Sequence, residues 1–162
     1  SGLGDVYKRQ VLNNGAYGII LTACIPMLMD TGGNAGSQAS VTVIRGIALG
    51  EIEFKDIFKV VWKEFRAAIL LSLTLAAACF IKLMLIDKLW AVDNGLLVAL
   101  VVCLSLCVTV MLAKLIGCTL PLIAKKCRLD PAVVASPFIT TIVDALSLSV
   151  YCLIAVSMLG IL

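Results

Sequence analysis

An all-α integral membrane protein with four transmembrane helices is the fold class this sequence predicts, on three observations. Hydrophobic residues make up 62% of the chain and charged residues only 14%, against roughly half and a quarter in a soluble domain. A mean hydropathy of +1.11 is more apolar surface than one small core hides. The apolar residues also fall in runs near the roughly 20 residues that a helix needs to cross a bilayer.

The start of the chain stands apart. Asp5-Val6-Tyr7-Lys8-Arg9-Gln10 is polar, unlike the apolar residues after it, and no Met initiates the sequence. The segment resembles the translation of a transposon end used in sequencing-library preparation. Residues 1–10 are therefore set aside as an artefact and 11–162 taken as the membrane domain. On this reading the natural protein begins upstream and the chain is its C-terminal fragment. The net charge of +3 changes little without that segment and gives no reason to expect a nucleic-acid partner.

The first apolar segment, Val11 to Leu49, is too long for a simple span. Roughly 40 residues reach about 60 Å as one helix, twice the hydrocarbon thickness. It must protrude, tilt or break, and the expected irregular point is Asp30-Thr31-Gly32-Gly33-Asn34, where glycines loosen the helix and polar groups gather. The second span is predicted over Ala67 to Ile86, with Lys82 snorkelling at its end. The third runs from Leu96 to just before Lys125, with Pro121 expected to kink its last turns and Lys114 expected to reach the cytoplasmic surface. The fourth runs from Asp130 to Leu159. Asp130 caps free N–H groups there, and Pro131 suits the first turn.

Loop charge orients these spans. Arg45, Lys55, Lys59, Lys63 and Arg66 lie between the first and second, and Lys125, Lys126 and Arg128 precede the fourth. The turn Asp87 to Gly95 sets only Lys88 against Asp87 and Asp93. By the positive-inside rule the basic loops are cytoplasmic and that turn is outside. The first span then enters from outside, as it would if one more helix preceded it. Phe54 to Phe65 mixes charges with Ile57, Phe58, Val61 and Trp62, a pattern that predicts an amphipathic helix lying at the interface.

Metal and enzyme chemistry are narrowed by what the sequence lacks. It has no histidine and no Cys-x-x-Cys spacing, so a zinc site or a histidine-based triad has neither ligands nor base. Six of seven cysteines, Cys24, Cys79, Cys103, Cys107, Cys118 and Cys152, sit in apolar runs as small hydrophobes, and Cys127 lies in a basic loop. No catalytic residues are expected.

The charged residue that most needs a reason is Asp144, near the middle of the last span between Val143 and Ala145. An acid at that depth is costly and usually marks an ion or proton path. Thr140, Asp144, Ser147 and Tyr151 follow at steps of four, three and four, which predicts one polar face opposed by Ile139, Ile142, Leu146 and Leu153. The competing reading is a buried latch hydrogen-bonded to a neighbouring helix. In the first span Asp30, Asn34 and Ser37/Gln38 share another face. Gly32/Gly36 and Gly33/Ser37 permit close helix approach there, so amide-glued packing competes with a pore lining. Oxygen donors without thiolate or imidazole suit a hard cation such as Mg²⁺, which sheds water reluctantly.

These stretches resemble, in order, the transmembrane domain of the MgtE family of magnesium channels. They are Pro26-Met27-Leu28-Met29 running into Asp30 to Gln38, then Arg45-Gly46-Ile47-Ala48-Leu49-Gly50-Glu51-Ile52. Gly117, Leu120-Pro121, Asp130-Pro131-Ala132, and Ser136-Pro137 through Thr140-Thr141-Ile142-Val143-Asp144 come after them. The resemblance implies a homodimer of five-helix subunits in the plasma membrane, of which this chain holds the last four helices. It implies a pore lined by the first and last spans, with the pore aspartate at Asp144. Ser136 and Thr140 match positions near the ion path, while Asp30 and Asn34 fall in the glycine–asparagine motif. The family's first helix and its cytoplasmic gating domains have no counterpart in the sequence. A proton- or sodium-coupled transporter using Asp144 as relay, or a non-transporting scaffold held by glycine faces, remain alternatives.

Overall fold

Four long helices account for nearly all of the structure, a computed structural model that describes residues 2–92 and 94–159, with side chains described for 15, 18–92, 94–133 and 138–159. Asp93, the side chain of Ser136 and those of residues 1–10 lie outside the described set. The helices are α1 (Gly2–Ala48), α2 (Ile57–Leu85), α3 (Gly95–Lys126) and α4 (Pro131–Leu159). Single 3-10 turns at Phe54–Asp56 and Leu89–Ala91 lead into and out of α2. Helix α3 packs on all three others, and α1 also packs on α4.

The centre of the bundle follows from α3, whose Val98, Val101, Val102, Val110, Ala113 and Leu122 are fully enclosed. Its closest neighbour is α1, and the reason is glycine. A Cβ at Gly117 would land on the carbonyl oxygen of Gly36, so both positions bring the two backbones into contact. At Gly32 a Cβ would meet Thr109 Cγ2 at 2.7 Å and Val143 Cγ1 at 3.0 Å, so α3 and α4 both close on α1 there. Gly33, expected to share in this packing, faces open space. On α1 the close contacts of this crossing fall at Gly32 and Gly36, with Gly117 of α3 opposite Gly36.

The exterior is apolar. Leu70 (69% exposed), Leu73 (59%) and Leu153 (67%) face outward, an arrangement that water disfavours and lipid does not. Among the described residues three helical stretches, Phe54–Leu85, Gly95–Lys126 and Phe138–Leu159, are long and apolar enough to cross a bilayer. The described part of α1 is more polar, because Asp30, Thr31, Asn34, Ser37 and Gln38 fall within it.

Several expectations change against these helices. No irregularity interrupts α1 at Asp30–Asn34; the helix runs through Pro26 and both glycines without a break. Gly32 and Gly36 serve helix contact within it. Helix α3 holds Pro121 inside its last turns and ends at Lys126, within a residue or two of the span expected. Phe54 to Phe65 is continuous with the second span: Phe54, Ile57, Val60 and Val61 pack against Ala39, Val43, Cys118 and Leu122, and α2 runs on from there without a break. The predicted Asp130 cap is present, its carboxylate accepting from the Ala132 N–H at 2.9 Å. At the other end Lys82 pairs with Asp87 at 2.7 Å. Lys126 lies 4.2 Å from the centre of the Phe54 ring, so both basic loops meet at one end of the bundle.

Candidate functional site

Where α1 crosses α4, the residues one step off the packed face carry the candidate chemistry. Helix α4 buries Ile139, Val143, Ser147, Tyr151 and Ala155, a four-residue repeat that presses on its neighbours. The Val143 methyls reach toward both Gly32 and Gly36. Asp144, the next residue, is therefore level with that crossing. It is partly exposed, and it makes no hydrogen bond or ion pair with the described residues.

The polar face predicted on α4 divides in two. Thr140 is exposed and Asp144 half-exposed, so the first half opens outward from the subunit. Ser147 and Tyr151 are buried instead. The Ser147 hydroxyl donates to the Val143 carbonyl at 2.6 Å, and the Tyr151 hydroxyl donates to the Leu21 carbonyl on α1 at 2.8 Å. Ser147 thus closes on its own helix and Tyr151 ties α4 to α1, so neither extends the open face. Ile139, expected on the opposite side, belongs to the buried seam. The spacing correctly grouped residues on a helix; it carried no information on which neighbour each would meet.

On α1 the residues Asp30, Asn34 and Gln38 are all exposed, on the side turned away from the buried Leu28, Ala35, Ala39 and Val43. The Asn34 side-chain amide donates to the Asp30 carboxylate at 3.1 Å, one helical turn apart. That contact fixes the acid and leaves its second oxygen open. Asn34, Ser37, Gln38, Val41 and Thr42 line a shallow depression of about 450 Å³. A neighbouring cavity of about 350 Å³ lies between the helices, lined by Ser37, Ser40, Val41, Ile44 and Arg45 of α1 and Ala132 and Ile139 of α4. Among the described residues no three His, Cys, Asp or Glu side chains gather as a metal cage. One chain thus offers separate carboxylates on an open surface.

A second charged site was not anticipated. Lys114 does not reach the cytoplasmic surface: its ammonium donates to Glu64 on α2 at 2.9 Å, and both side chains are about nine-tenths buried. Glu64 stood within the stretch assigned to the interface, and the two residues lie 50 apart in sequence. The only available sign was a matched pair of opposite charges at the same end of adjacent spans.

A family model for MgtE, described as a divalent cation transporter, matches residues 25–154. The chain is 34% identical over 131 residues to the magnesium transporter MgtE of Thermus thermophilus, covering 81% of this chain and 28% of that protein. It is 32% identical over 133 residues to the magnesium transporter MgtE of Bacillus subtilis, covering 82% and 28% respectively. A third magnesium transporter MgtE, from Enterococcus faecalis, is 28% identical over 132 residues. The chain thus spans 28% of the length of each of these curated relatives.

Proposed function

This chain belongs to the MgtE family of divalent cation transporters, and from that premise we propose that it forms part of a path for hydrated Mg²⁺ across the plasma membrane. Asp144 is the observation that carries the reading. It is a carboxylate within the apolar length of α4, half-exposed, and without an ion partner among the described residues. An unpaired carboxylate at such depth is strongly unfavourable unless water and a cation reach it.

Two copies meeting along α1 and α4 would bring two Asp144 carboxylates to one axis. The exposed polar side of α1 and the open half of α4 support that arrangement, since neither is suited to lipid. Mg²⁺ keeps several waters because dehydration is costly. The paired carboxylates would then hold the ion by accepting hydrogen bonds from its waters. Thr140, one turn before Asp144, offers its backbone carbonyl to the same hydration shell, and Ser136 follows one turn further toward the basic loops. Asp30 and Asn34 line the approach as fixed acceptors, and α1 crosses the bilayer as the polar-faced member of the bundle.

Mg²⁺ uptake into vesicles containing the protein, measured beside Asp144→Ala, tests the proposal. Selective uptake at equal pH on both sides that vanishes in the variant supports it. Uptake that requires a proton or sodium gradient moves the assignment to a coupled transporter with Asp144 as its relay. Uptake unchanged by Asp144→Ala reduces that residue to a structural group.

A further inference from the structure

The first turns of α2 present a surface that ion passage does not use. The helix has 29 residues, about 43 Å of length, against a hydrocarbon thickness of about 30 Å. With its far end at the Lys82–Asp87 pair, the excess falls on the opening turns, around residues 57–66. One side of these turns is committed to the bundle. Ile57, Val60 and Val61 pack on the α1/α3 cluster, and Glu64 turns inward to Lys114.

The other side carries two adjoining strips. Phe58 is 85% exposed and Trp62 62% exposed, and the Trp62 ring stacks on Phe65 with centroids 6.0 Å apart. Beside them stand Lys59, Lys63 and Arg66, all exposed, at steps of four and three that keep them on one face. The nearby acids are engaged elsewhere. Glu53 pairs with Lys55 at 2.8 Å, Asp56 accepts from the Glu53 backbone N–H, and Glu64 faces Lys114. Lys59, Lys63 and Arg66 therefore have no opposite charge among the described residues.

We propose that this band binds the headgroups of anionic phospholipids, with Phe58 and Trp62 seated at the acyl boundary and the three cations on the phosphates. Aromatic rings favour that depth, and each Lys or Arg gains near an anionic leaflet. Lys126, held over Phe54 at the same end of the bundle, extends the positive surface. An acidic protein surface would match the charge. It would not account for two large rings exposed on a helix that continues directly into the bilayer.

The chain holds two tryptophans, Trp62 and Trp90, on turns at opposite ends of α2, so Trp90→Phe leaves Trp62 as the single reporter. The full chain with that substitution is reconstituted in phosphatidylcholine vesicles containing a minority of phosphatidylglycerol, with one lipid or the other brominated on its acyl chains. Trp62 is expected to be quenched several-fold more by brominated phosphatidylglycerol than its mole fraction allows. The triple variant Lys59→Gln/Lys63→Gln/Arg66→Gln should return quenching to the mole fraction. High salt should do the same to the chain without the triple change, because exposed charges are screened within about 3 Å at 1 M. Quenching that tracks mole fraction at low salt overturns the proposal and leaves an acidic protein partner as the occupant. Enrichment that survives both the triple variant and high salt overturns it equally.

Discussion

Lys114 on α3 and Asp144 on α4 each place a charge within the apolar length of a helix, but only Lys114 has an opposite charge beside it. The Lys114–Glu64 pair lies buried between α3 and α2, where each charge offsets the cost of burying the other. Asp144 is half-exposed at the edge of the seam that α4 packs on its neighbours, and no described side chain answers its charge. The same energetic rule thus gives two readings. A buried charge answered within the chain is part of the architecture. One left unanswered within a span calls for something that arrives from outside, which on the reading proposed above is the ion.

That contrast can be broken at either site. The largest effect is expected at Asp144: removing the charge in Asp144→Asn should cut Mg²⁺ uptake by about a hundredfold, equivalent to about 3 kcal/mol of barrier, while helix content and thermal stability stay unchanged. Thr140→Ala, which keeps the backbone carbonyl, should lose far less. Equal losses in the two variants, measured as initial uptake rates, would place the binding energy somewhere other than the carboxylate.

At the internal pair the expected damage is to the fold. Glu64→Gln strands the Lys114 ammonium and should destabilise the bundle by about 3–5 kcal/mol, read from thermal or denaturant unfolding in detergent. Glu64→Leu combined with Lys114→Met should recover most of that loss, since a buried pair replaced by packed apolar groups costs little. If the double variant is stable yet transports poorly, the pair also positions the path, and the division between architecture and function fails.

Smaller effects should mark the packing ties. Gly117→Ala pushes a methyl against the Gly36 carbonyl and is expected to cost about 1–3 kcal/mol through overpacking. Tyr151→Phe removes the hydrogen bond to Leu21 and should cost only about 0.6 kcal/mol, the average for interhelical bonds in a membrane bundle. A loss of uptake from Tyr151→Phe without a loss of stability would return Tyr151 to the polar path.

Much of the fold was legible because it depends on local patterns. The ends of α3 and α4, the Asp130 cap and the close-packing role of Gly32 and Gly36 follow from apolar runs, capping chemistry and residue size. What escaped depends on partners distant in sequence. The break expected at Asp30–Asn34 is absent because α3 and α4 hold the glycines in a continuous helix. The inward turn of Glu64 depends on Lys114, 50 residues further along the chain. The α4 polar stripe was drawn as one surface, yet α1 covers half of it through Tyr151. Periodicity names a face; only the neighbour says what that face does. For Asp144, Thr140, Asp30 and Asn34 the sequence identified the residues, and the structure adds their level and exposure.

The contact of Gly117 with Gly36 bears on how such a bundle can move. Two backbones touching without side chains between them mesh like teeth, so α1 cannot roll about its own axis without driving its neighbouring side chains into α3. The orientation of Asp30 and Asn34 toward the outside is thereby geared to α3. Any widening or narrowing along that surface has to be a displacement of the pair as one rigid lever.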